Sequence, residues 1–215
     1  MSHITSSKDS SELWENQEKL AKTFSSDICI GVDEVGRGCL AGPVVAAAIA
    51  FRNVKNLAIR DSKELSEKKR REIFTKILEY KPFFGVGLVS QHTIDKINIL
   101  NATKLAMRKA ILKCTKEISK ILTPKNPLIL IDGNFIVNDI GYRQISIVNG
   151  DSKIAVIAAS SIIAKVVRDE MMRALDKIYP QYLFSKNKGY GTKEHIIAIS
   201  KFGFSSLHRL TFNVK

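Results

Sequence analysis

Apolar residues along this 215-residue chain fall into short continuous runs separated by longer stretches of helical spacing. Val44 to Ile49 is apolar throughout and follows Gly42-Pro43. It predicts a strand paired with the preceding segment, which runs from Cys29 to a pair of acids at Asp33-Glu34. Phe83–Val89 and Gln144–Val148 are further strand candidates, and the unbroken Leu128-Ile129-Leu130-Ile131 predicts a strand covered on both faces. Leu13, Trp14, Gln17, Leu20, Ala21 and Phe24 recur at helical spacing after a polar start that reads as disordered to about residue 11. Ser66 predicts the N-cap of a helix reaching about Tyr80. A long helix over Asn98–Leu122 would bury Leu105, Ile111, Leu112, Ile118 and Leu122, and Lys153–Leu175 predicts a mostly buried helix. Strands and helices thus interleave without repeats or linkers, which predicts one α/β domain. Residues 1–24 would form a tail and short helix, 25–178 the α/β body, and 179–215 a helical C-terminal extension packed on the same body.

Charge adds a partner to this outline. Thirty-four Lys and Arg against 21 Asp and Glu leave a formal charge of +13, which suits a polyanion. Lys109, Lys113, Lys116 and Lys120 stack on one side of the long helix and read as a solvated face ahead of a phosphate track. Cys29, Cys39 and Cys114 are odd in number and widely spaced, which argues against a disulfide framework and a structural zinc site and fits a reducing cytoplasm. The N-terminus has no apolar signal core and no stretch reaches membrane-spanning length, so neither export nor a membrane is expected.

The chemistry concentrates in acids. Asp33, Glu34, Asp132 and Asp151 each end an apolar segment or sit in a glycine-containing turn, where α/β folds place their working groups. Carboxylates suit Mg²⁺ or Mn²⁺, and two such ions roughly 4 Å apart could serve both oxygens of a phosphodiester displacement. Adjacent strand residues face opposite ways, so Asp33 and Glu34 could share an ion only through a bend, a bulge or a main-chain ligand, and Gly36 and Gly38 are candidates for the bend. His92, His195 and His208 lie in no metalloprotease or serine-hydrolase pattern and read as surface or core residues, and no Walker motif is present.

The run Gly31-Val32-Asp33-Glu34-Val35-Gly36-Arg37-Gly38, followed by Ala41-Gly42-Pro43-Val44-Val45, closely resembles the opening signature of type 2 ribonucleases H, the RNase HII family. Asp61-Ser62-Lys63-Glu64-Leu65, Ile131-Asp132-Gly133, the stretch from Ala158 to Asp169, Gly189-Tyr190-Gly191 and His208-Arg209 resemble later family blocks in the same order. The resemblance implies an RNase H-like mixed sheet flanked by helices. It implies metal-dependent cleavage of the RNA strand of RNA–DNA hybrids and of DNA 5′ of an embedded ribonucleotide, by a monomer. Asp33, Glu34, Asp132 and Asp151 match the family's metal carboxylates, with Asp169 a competitor for the fourth place. Gly36-Arg37-Gly38 would sense the 2′-hydroxyl and Tyr190 the neighbouring sugar, while Lys63, Ser161 and Lys165 would brace the site or touch phosphate. Glu64, and Leu210-Thr211 after His208-Arg209, depart from the usual family residues.

Overall fold

The structure, a computed structural model, describes residues 7–54, 57–59 and 65–214; the expected contribution of Lys63 lies outside these residues. Among the described residues a five-stranded sheet has the order β3-β2-β1-β4-β5, with β1 Ile28–Val35, β2 Val44–Ala50, β3 Phe83–Val89, β4 Pro127–Asp132 and β5 Arg143–Ile147. β2 pairs antiparallel with β1 and β3, whereas β1, β4 and β5 run parallel. The link Gly36–Pro43 suits a hairpin and makes β1 and β2 antiparallel, whereas the longer links leave either direction open: a helix lies between the antiparallel β2 and β3, and residues 133–142, without a helix, lie between the parallel β4 and β5.

Helices cover both faces, as the continuous apolar run in β4 predicts. On one face α3 (Gln91–Ser119) packs against Ile28, Ile30, Val32, Ile129 and Ile131. On the other, α4 (Ala155–Asp176), α2 (Glu67–Glu79) and α1 (Ser7–Thr23) bury Ala47, Ile49, Leu128 and Leu130. α4 approaches β1 so closely that a Cβ at Gly31 would overlap the Val156 backbone, so only glycine fits there. α1 starts at Ser7, earlier than its polar composition suggests, because its inward residues have partners. Trp14 Nε1 donates to Leu57 O at 3.0 Å, and Gln17 Oε1 accepts from Val156 N at 3.0 Å, capping the first turn of α4.

The long helix also begins earlier than Asn98. Ser90 caps a first segment by accepting from Thr93 N, and Asn98, at φ 65°, interrupts the helix. Its side chain then accepts from Asn101 N at 3.0 Å and starts the second segment. Ile111 and Ile118 are buried and Leu105 and Leu122 partly so, but Leu112 is 46% exposed. Two residues of the lysine stripe have a structural task. Lys109 Nζ donates to Leu88 O and Lys113 Nζ to Val86 O, capping carbonyls of the edge strand β3 that would otherwise invite another strand.

The last elements are the turn Pro180–Tyr182, α5 (Phe184–Asn187) and α6 (Lys193–Phe202). Their apolar residues meet Leu40, Ala41 and Met172, so this part of the chain closes over the β1–β2 turn.

Burial predicts which side chains matter for stability. Ile129→Ala, a deletion at a fully buried position, should lower the unfolding free energy by about 2–5 kcal/mol, whereas Leu112→Ala should change it by less than about 0.5 kcal/mol; urea denaturation measures both.

Candidate active site

Strand register brings the acids together. Val32 pairs with Ile131 in the parallel β1–β4 ladder, so the next residues, Asp33 and Asp132, stand side by side where the two strands end. Alternation puts both on the α4 face. Cys29 shares that face with Asp33, and Leu128 and Leu130 share it with Asp132. Asp151 comes from the turn Gly150–Ser152 between β5 and α4, entered through left-handed Asn149. One oxygen from each of Asp33, Asp132 and Asp151 lies within 4.8 Å of the others, the first and last being buried. Gly150 N donates to Asp132 Oδ1 at 2.6 Å and fixes the turn that carries Asp151.

Glu34 is not in this triad. β1 stays regular through Val35, so Glu34 faces the α3 side, and the bend at Gly36, φ 95°, comes after the acid pair instead of between its members. Glu34 still lines the same cleft, and Arg37 Nη1 lies 3.5 Å from its Oε1. Asp169, the other contender for the fourth acidic position, is paired elsewhere. Lys165 Nζ is 2.8 Å from one of its oxygens and Arg70 Nη1 3.9 Å from the other.

A cavity of about 280 Å³ opens over these groups, lined by the acids Asp33, Glu34 and Asp132, the turn Gly36-Arg37-Gly38, Ser161, Tyr190, and the cations Arg70 and Lys165. All the described residues of the expected site except Asp151, which is 1% exposed, therefore meet in one cleft. Burial raises the Asp33 carboxyl well above its usual range, and the charges of Glu34 and Asp132 push the same way against a hydrogen bond from Ser161. Glu34 is also raised, first by burial, with Arg37 opposing. Crowded oxygen donors that disfavour their own ionisation fit a hard divalent cation, which would favour the charged forms.

The sequence assigned no role to Arg70, Arg168 or Arg209, although the last two stand in blocks that resemble the family's. Charged residues in helices and loops carry no signal of burial, yet Arg168 and Arg209 are 0% and 1% exposed. Tyr190, 40% exposed, lies below Lys165 Nζ and the Arg168 guanidinium, at 5.8 and 5.9 Å from its ring centre.

The family model for ribonuclease HII matches residues 30–215. The chain belongs to the ribonuclease HII family. A ribonuclease HII of Endomicrobium trichonymphae is 50% identical over 184 residues, covering 85% of this chain and 84% of that protein. The fold is similar to ribonuclease HII of Archaeoglobus fulgidus, solved as a complex with PCNA, at a TM-score of 0.68 and 24% identity over 87% of this chain and 96% of that one. It is also similar to Bst-RNase HIII solved with Mn²⁺, at a TM-score of 0.68 and 22% identity over 90% of this chain and 70% of that one.

A histidine relay holds Tyr190 in place. The Tyr190 carbonyl can only accept, so His195 Nδ1 donates to it at 2.8 Å; Ser205 N donates to His208 Nδ1 at 2.9 Å. The remaining proton sits on His208 Nε2 and bridges 3.1 Å to His195 Nε2, a chain in which both rings are neutral. Burial, aided by His195, holds His208 down at about 4, and burial lowers His195 too. The unfolded chain takes up these protons near pH 6.5, so the stabilisation is complete above that pH and is lost as pH falls toward 4. Denaturation should show a loss of about 3 kcal/mol from His208 between pH 7 and pH 4, with a flatter dependence in His208→Gln.

Proposed function

We propose that the protein hydrolyses the RNA strand of RNA–DNA hybrids and nicks duplex DNA 5′ of an embedded ribonucleotide, leaving 5′-phosphate and 3′-hydroxyl ends. The observation that carries this reading is the convergence of Asp33, Asp132 and Asp151 within 4.8 Å of one another, in a basic chain of the ribonuclease HII family. These three would hold divalent Mn²⁺ or Mg²⁺, with Glu34 completing the set from the opposite face of β1. The metal, when bound, supplies an activated water and charge at the leaving 3′-oxygen.

The chain's own groups position the substrate. Ser161 hydrogen-bonds Asp33 and the Gly150 amide hydrogen-bonds Asp132, so both carboxylates are aimed before substrate arrives. Asp169 steadies Lys165 and Arg70 at the cleft, where their charge suits phosphates flanking the cut. A Cβ at Gly38 would meet no atom within 4 Å, so a sugar can approach the main chain of the Gly36-Arg37-Gly38 turn, and the 2′-hydroxyl is the group that marks RNA. Tyr190 would pack against the adjacent sugar, with Lys165 and Arg168 beside its ring. The protein works as a monomer in the cytoplasm, where its three buried cysteines remain thiols.

A labelled duplex carrying one ribonucleotide, incubated with Mg²⁺, Mn²⁺ or chelator beside an all-DNA duplex, tests the reading. It predicts a nick 5′ of the ribonucleotide only with metal; binding without a nick, or equal cutting of the all-DNA duplex, would contradict it. Asp33→Asn should lower kcat/KM by roughly a thousandfold or more while preserving duplex binding. Tyr190→Ala should slow cleavage at a single ribonucleotide more than cleavage of a continuous hybrid, which parallel rate measurements on the two substrates would show.

A further inference from the structure

The β1–β2 turn is held from behind by two buried guanidinium groups. Arg209 Nη2 donates to Gly36 O at 2.7 Å, its Nη1 to Arg37 O at 2.8 Å, and its Nε and Nη2 to Gly42 O at 3.1 and 2.9 Å. The Arg209 amide donates to Leu40 O at 2.8 Å. Arg168 takes Ala41 O and Pro43 O, and a side chain at Gly36 would overlap its guanidinium. Neither arginine forms an ion pair among the described residues, and the Phe212 ring centre lies 4.9 Å from the Arg209 guanidinium. Burial lowers Arg209 only to about 10, so it remains charged at neutral pH.

Those carbonyl contacts fix what the other side of the turn displays. In a trans peptide the C=O of one residue and the N–H of the next point in opposite directions. With the Gly36 and Arg37 carbonyls drawn to Arg209, the amides of Arg37 and Gly38 point away from it. Neither amide makes a hydrogen bond among the described residues, and Gly36, Arg37 and Gly38 line the cleft. We propose that Arg209 is a positioning residue for ribonucleotide recognition, holding two successive peptide planes so that the Arg37 and Gly38 amides face the 2′-hydroxyl. This rests on the RNA-cleaving function proposed above. Five donors spread over a rigid plane can serve several carbonyls at once, whereas a lysine at this position keeps the charge but gathers its three donors on one atom.

Arg209→Lys separates positioning from simple support of the fold. The variant should fold, with a melting temperature lowered by the lost carbonyl hydrogen bonds, and bind an all-DNA duplex with wild-type affinity in Ca²⁺. Its kcat/KM on a one-ribonucleotide duplex should fall roughly ten- to hundredfold, and its binding preference for that duplex over all-DNA should shrink by a similar factor. Unchanged cleavage and preference, or an equal loss on both duplexes, would overturn the proposal. A wild-type protein that cuts no ribonucleotide-containing duplex would instead overturn the function on which it rests. Wild-type hydrogen exchange provides a test that does not require the variant to fold. The Arg37 and Gly38 amides should exchange fast in the unbound protein and slow with the ribonucleotide duplex but not with all-DNA; slow exchange without duplex would overturn the proposal.

Discussion

The constraint on which the rest of the structure depends is the crowding of carboxylates at one end of the sheet. Register places Asp33 beside Asp132, alternation turns both toward α4, and the turn into α4 brings Asp151 against them. Like charges packed at this distance in a partly dry site oppose folding unless something offsets them. Protonation can do so, as the raised Asp33 and Glu34 carboxyls indicate, and so can a cation.

Positive charge is distributed around this centre in two ways. Lys165, Arg70 and Arg37 stand in the cleft, the first two anchored by Asp169 and the third beside Glu34, where they can meet an incoming polyanion. Arg168 and Arg209 lie underneath, bound to carbonyls instead of carboxylates, so their charge is not cancelled by a partner and their donors shape the turn. The +13 balance of the chain adds a weaker, salt-screened attraction that speeds encounter without choosing a substrate. In the proposed function choice would lie with the turn and with Tyr190, and both are held by the chain's last segment through His195, His208 and Arg209.

Much of the scaffold was legible because its signals are local. The continuous apolar runs of β2 and β4, the turn residues after β1 and the capping serine before α2 each dictate conformation within a few residues. The acids were legible by position, at the ends of apolar segments. Their geometry was not, since the exclusion of Glu34 from the triad depends on β1 staying regular past Glu34, and sequence could not tell whether the strand bends between the two acids or only at Gly36. The early start of α1 and the exposure of Leu112 depend on contacts with distant residues, which periodicity does not contain. The buried arginines were invisible for the same reason. An arginine reads as surface until the carbonyls that surround it are known.

The central claim is that Asp33, Asp132 and Asp151 together make a divalent-cation site. Calorimetric titration of Mn²⁺ into the metal-stripped protein, beside the Asp132→Asn variant, tests it most directly. The account predicts saturable binding by the wild type, weakened at least tenfold when the middle carboxylate of the triad is neutralised. Wild-type protein that takes up no Mn²⁺, or a variant that binds it equally well, would contradict the account.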